Sequence, residues 1–154
     1  MAEKSITITG LTAVQAQLKA VSDFLSSPAP MQHIVDDVKD LVLTKTAMGL
    51  DYKGKSFAPY SAKYAKKKMG MTATGRPNLK VTGQMLGAVT AKVQDAWHGS
   101  VFIKDATAAK IGGYHNSGTK KMPQREFMNI SQSAVDKLAK KYIDDEIMKL
   151  LGRK

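Results

Sequence analysis

A chain of 154 residues, 43% of them hydrophobic, fits a single domain, and folding at this size removes roughly two thirds of the unfolded surface from water. It has no cysteine, which excludes a disulfide framework, a zinc-thiolate centre and a thiol nucleophile, so the fold must rest on packing alone. Its 24 Lys plus Arg against 13 Asp plus Glu leave a formal charge of +11, which points to an anionic partner: nucleic acid, acidic protein or anionic surface.

Met1 to Thr9 lacks the apolar stretch of a signal peptide, and no later run approaches the roughly 20 apolar residues that span a bilayer. A soluble chain, not exported through a signal sequence, is expected. Ile6 and Ile8 alternate with Ser5, Thr7 and Thr9, the pattern of a short half-buried strand. Thr12 and Gln15 have capping-box spacing, and Leu11, Val14, Leu18, Val21 and Leu25 recur at steps of three and four. They predict an amphipathic helix to about Phe24, ended by Ser26, Ser27, Pro28 and Pro30. Met31, Ile34, Val35, Val38, Leu41, Val42 and Met48 form the stripe of a second helix, with Asp36 and Asp37 toward its positive end and Gly49 as its stop.

From Tyr52 to Gln94 the composition changes. Lys53, Lys55, Lys63, Lys66, Lys67, Lys68, Arg76, Lys80 and Lys92 occur there without a single Asp or Glu. Pro59 to Met69 is compatible with a basic helical turn, and Gly70 to Asn78 lacks any apolar period and reads as a mobile loop. Residues from about 52 to 80 are therefore expected to form a flexible basic insertion in one domain spanning 1–154. Thr82 is placed to cap a short helix through Ala88. Val89, Ala91 and Val93, then Val101 and Ile103, predict an antiparallel hairpin with Trp97 near its loop.

Ala106 to Tyr114 predicts a short helix that breaks at Gly112 and Gly113 into a loop from His115 to Arg125. Ser133 and Asp136 have capping-box spacing ahead of a last helix whose buried side is Val135, Leu138, Tyr142, Ile143, Ile147, Leu150 and Leu151, with Gly152 as its stop. The expected class is α+β: a small antiparallel sheet packed against two or three long amphipathic helices, with a long basic flexible loop.

Reactive constellations are sparse. His33, His98 and His115 have no partner at metal-ligand spacing, and neither glycine-rich phosphate motif occurs. Asp144, Asp145 and Glu146 are adjacent on a helix and point in different directions, and Ser131 and Ser133 precede a helix, where hydroxyls serve as caps. The chain reads as a non-enzyme without metal or cofactor. Lys53, Lys55, Lys63, Lys66, Lys67, Lys68, Arg76 and Lys80 are the candidates for contact with a partner or with DNA. Phe57, Tyr60 and Tyr64 among them suit either base stacking or core packing, and the four-residue spacing of the two tyrosines favours packing.

Four patches, in order, resemble the virion morphogenesis or tail-completion families of long-tailed and Mu-like phages. They are Gly54, Phe57, Pro59, Tyr60 and Tyr64 with Lys66 to Lys68; Leu79 to Leu86 with Thr82, Gly83 and Leu86; His115 with Gly118 and Thr119; and Met122, Pro123, Arg125, Phe127 and Met128. The resemblance implies a structural protein of the head-tail junction or tail end, assembled in the host cytoplasm. It would form a homo-oligomeric ring in the particle, with a monomer permitted in isolation, and dock on other neck, connector or tail proteins. On this view Thr82, Gly83, His115, Gly118, Met122, Pro123, Arg125 and Phe127 are motif or interface residues. Pro123 restricts Met122 to extended geometry, so the last block is expected to be a rigid strap, with Arg125 bonding carbonyls or an acid within the fold, or reaching a neighbour. The rival reading is a nonspecific DNA-binding protein acting through residues 52–94.

Overall fold

The alternation at Val89, Ala91 and Val93 forms a strand, β1 (Val89–Val93), paired antiparallel with β2 (Gly99–Ile103) so that Val89 faces Ile103 and Val93 faces Gly99. In the computed structural model, which describes residues 10–72 and 74–153, this hairpin is the one sheet among the described residues. The strand expected at Ile6 and Ile8 lies outside them. Around the hairpin stand α1 (Leu11–Ser26), α2 (Ala29–Ala47), α3 (Ala62–Thr72), α4 (Gln84–Gly87), α5 (Ala106–Ser117), α6 (Gln132–Ala139) and α7 (Asp145–Leu150), with a π-helical turn at Lys140–Asp144 joining the last two. The architecture is α+β, as the sequence indicates.

Helix α2 crosses the hairpin at close range because Gly99 has no side chain: a Cβ there would overlap Val35 Cγ1. Gly112 plays the same part between α5 and β2, where a Cβ would overlap Ile103 Cδ1. That close approach explains why α5 runs through Gly112 and Gly113 to Ser117 instead of breaking there: burying Ile103 and Phe127 against the helix offsets the glycines' poor helix propensity. The core joins Val42, Phe57, Leu79, Met85, Ala108 and Phe127, with Leu86, Ala88, Ile103 and Met128 against it.

Several helix ends differ from expectation. Helix α2 begins at Ala29, so Pro30 sits in its first turn, where a missing amide costs nothing, and does not merely end the helix before it. Asp36 and Asp37 consequently lie beyond the first turn, and Asp37 instead accepts hydrogen bonds from Tyr142 Oη at 2.8 Å and Lys141 Nζ at 3.1 Å. Helix α1 is preceded by Gly10 at φ 94°, and α6 by Ser131, without side-chain caps from Thr12 or Ser133. Gly49 and Gly152 do end helices, each with positive φ and with the amide of the next residue reaching back five residues, Leu50 to Lys45 and Arg153 to Met148.

The apolar stripe of α1 is only partly covered: Leu11, Val14 and Leu18 remain 62%, 49% and 60% exposed. At the other end of the chain, the π-helical turn carries Tyr142, whose ring stacks on His33 of α2 with centroids 5.3 Å apart.

The acid-free interval departs most from expectation. Phe57 and Leu79 are core residues, so the interval is anchored in the core at both positions and is no pliable insertion. Helix α3 extends through Thr72 and turns Ala65, Lys68 and Thr72 inward. The stretch expected to be a mobile loop is tied down by side chains: Thr72 Oγ1 donates to the Lys68 and Thr74 carbonyls, the Arg76 amide donates to Thr74 Oγ1, and Lys68 Nζ donates to the Arg76 carbonyl at 2.8 Å and to Asn78 Oδ1. Sequence periodicity cannot reveal such a polar tether, because it uses no apolar residue.

Candidate partner-binding cleft

Helix α3 distributes its lysines by helical geometry. Lys63, Lys66 and Lys67, at spacings of three and one, share the outward side, and Lys68 faces in with 1% of its surface exposed. Lys68 is thus a correction to the expected set of surface contacts: its ammonium holds the following loop and is withdrawn from any partner. Lys53, Lys55, Lys63, Lys66, Lys67, Arg76 and Lys80 are exposed. Among the described residues, the ion pairs use Lys19, His98, Lys140, Lys141 and Lys149, and none uses a cation of residues 52–94. Three nonbonded positive charges on one helix face repel each other, and an anion laid across them relieves that repulsion.

Tyr60 stands just before α3 and Tyr64 within it, in an edge-to-face pair with centroids 4.8 Å apart. They form the shared wall of two adjoining clefts of about 220 and 440 Å³. Thr82 and Gly83 line the first, Met122, Pro123 and Arg125 the second, and His115 both. Residues separated by up to 65 positions in the chain therefore meet at one place. Thr82 Oγ1 accepts the Gln84 amide, and Gly83, at φ 84°, starts α4.

The far wall of the second cleft is a strap. Gly118, at φ 74°, ends α5, and Thr119 and Met122 exchange backbone hydrogen bonds, amide of each to carbonyl of the other, at 2.8 and 3.2 Å. The chain then doubles back, and the Arg125 amide donates to the His115 carbonyl at 2.7 Å. Gly118 has no room for a side chain, since a Cβ would lie 2.9 Å from the Gln124 amide nitrogen. The Asn116 side chain accepts the Met128 amide and pins the strap's other end. The segment before the final helix is non-helical, as expected, and is held by these hydrogen bonds beside Pro123.

Arg125 and Phe127 are each 2% exposed, so neither reaches a neighbour as an exposed interface residue. Arg125 directs Nε to the Ala58 carbonyl at 2.9 Å and Nη2 to the Pro59 carbonyl at 3.0 Å, and its guanidinium lies 4.7 Å from the Tyr60 ring centre. Lys68 Nζ lies 5.4 Å from the same centre. Burial pushes both cations' pKa values down, and it pushes the Tyr60 phenol up. His115 is shifted down by burial first and by Arg125 second, and its Nδ1 is closed off from solvent without a hydrogen-bond partner among the described residues.

Most of these residues stand out one by one in the sequence, but Lys121, which lines the second cleft, does not. Two buried cations sharing one tyrosine leave no sequence signal beyond the Tyr60–Tyr64 spacing beside Lys68. Among the described residues, no group of three His, Cys, Asp or Glu is placed to hold a metal ion, and no helix is long and apolar enough to cross a membrane. Comparison of the chain with protein-family models, curated proteins and solved structures gives no match.

Proposed function

We propose that the chain is a structural, non-catalytic protein of a phage particle, placed at the head-tail junction or tail end, where copies form a ring and dock on neighbouring virion proteins. The observation that carries this reading is spatial: Tyr60, Tyr64, Thr82, Gly83, His115, Met122, Pro123 and Arg125, which come from four separate patches of the sequence, meet around one pair of clefts. The face of α3 beside them offers Lys63, Lys66 and Lys67 without bound carboxylates among the described residues, a surface suited to an anionic neighbour. Particles assembled without the chain are expected to accumulate as separate heads and tails in electron micrographs. Normal, joined particles would overturn the proposal.

The same lysine face favours one second reading, nonspecific DNA binding. Each neutralised phosphate would then contribute roughly 0.9 to the slope of log affinity against log salt. A filter-binding titration in which the free chain shows no salt-dependent affinity for duplex DNA removes it.

A further inference from the structure

We infer that the paired clefts at Tyr60, Tyr64 and His115 receive a carboxylate-bearing segment of a partner protein. This rests on the docking role proposed above and names the chemistry of its partner. Two cations, Lys68 and Arg125, are 1% and 2% exposed, and among the described residues neither has a carboxylate within ion-pair distance. Backbone carbonyls, the Asn78 side chain and the Tyr60 ring are all that balance them. Dipoles and a ring face stabilise a buried cation only partly, so a positive potential persists at the cleft surface. Arg125 spends two of its three guanidinium nitrogens on the carbonyls that fix it and lines the 440 Å³ cleft, where exposed Lys121 adds a second positive charge.

The walls decide between classes of anion. Pro59, Tyr64, Met122 and Pro123 make the second cleft largely apolar and aromatic around its cations. Such a lining suits an acidic side chain flanked by apolar residues on a peptide, because the apolar neighbours bury area that a sugar-phosphate backbone does not offer. Nucleic acid is better served by the open lysine face of α3, which lies outside these linings. His115, with Nδ1 shut away and no partner, is the polar group at the junction of the two clefts that an arriving residue can engage after a small ring movement.

The full chain titrated with fluorescein-labelled oligo-glutamate, followed by polarisation and by amide NMR, tests this. Amide shifts are expected to concentrate at Tyr64, His115, Gly118 and Lys121, and binding to weaken about tenfold or more in Tyr64→Ala and Lys121→Glu. Both changes fall on exposed side chains, and unchanged spectra elsewhere verify folding. Shifts spread over Lys63, Lys66 and Lys67 with affinity unaltered in both variants would overturn the inference, as would stronger cleft shifts from duplex DNA than from oligo-glutamate. The two proposals fail separately. Joined particles made with Tyr64→Ala and Lys121→Glu together, where particles lacking the chain stay unjoined, would reject the cleft and leave the junction role standing; joined particles without the chain would reject that role whatever the titration gives.

Discussion

The Arg125 guanidinium lies 4.7 Å from the centre of the Tyr60 ring, held there by the Ala58 and Pro59 carbonyls that precede that ring in the chain. A residue 65 positions away in sequence thus fixes the entry to α3 and, through the hydrogen bond its amide donates to the His115 carbonyl, the strap on the opposite wall. Lysine cannot reproduce the planar fork that reaches two carbonyls and stacks on a ring at once. Arg125→Lys is expected to destabilise the fold by about 2–3 kcal/mol in urea titration, in keeping with the loss of charged hydrogen bonds. Arg153→Lys, on an exposed residue, is expected to be near neutral.

Lys68 allows a sharper comparison. Replacing it with Met keeps the volume and abolishes a buried charge; Met and Ala alike remove the donor to the Arg76 carbonyl and Asn78 Oδ1, which keep the Asn78 and Lys80 amides, and Ala leaves a cavity besides. The expected order of stability is wild type, then Lys68→Met within about 1–2 kcal/mol, then Lys68→Ala lower by a further 1–2 kcal/mol or so. Limited proteolysis is expected to cut both variants between Gly70 and Asn78 sooner than it cuts the wild type. Equal protection in all three proteins would show that the ammonium is not the tether.

Two glycines in one region should respond oppositely to alanine. Gly118 combines φ 74° with ψ 173° and faces the Gln124 backbone, so Gly118→Ala is expected to cost about 1–3 kcal/mol. Gly113, one turn earlier, is helical and has nothing within 4 Å of a Cβ, so Gly113→Ala is expected to stabilise by roughly 0.4–1 kcal/mol. Thermal unfolding of the two variants checks the pair.

Acid should destabilise the fold in two stages. His115 is shifted below its ordinary 6.5 by burial and Arg125, so the unfolded chain protonates first. Its contribution falls away as pH drops below about 6.5 toward the folded value, and His115→Gln is expected to flatten the stability profile there. Asp37 is lowered from 3.8 chiefly by the Tyr142 hydroxyl and then by Lys141. Its contribution is present above that value and is lost as pH falls through the lower folded value. Tyr142→Phe is expected to remove most of that second loss while leaving the first in place. Chemical denaturation across the acid range separates them.

The sequence made the hairpin legible because alternation survives in Val89, Ala91, Val93, Val101 and Ile103, and it made the glycine stops of α2 and α7 legible because only glycine takes their positive φ readily. It left the interval from Phe57 to Leu79 illegible. There the order comes from Lys68, Thr72, Thr74 and Asn78, polar residues whose local hydrogen bonds carry no periodic signature. The stripe at Leu11, Val14 and Leu18 does mark helix α1, but it says nothing of burial, since these residues stay exposed. The motif residues were visible one by one; their meeting at Tyr60 and Tyr64 depends on the long-range placement of α3, α5 and the strap around shared clefts, which no local pattern encodes.

Charge reversal on the outward face of α3 tests the docking account most directly. In particles in which every copy of the chain carries Lys63→Glu, Lys66→Glu and Lys67→Glu, micrographs are expected to show unjoined heads and tails. The same reversal at the exposed Lys104, Lys110 and Lys137, which lie outside α3, is expected to leave joining intact. Fully joined particles in the first set, with the variant folded and present at wild-type level, would contradict the role assigned to that basic surface.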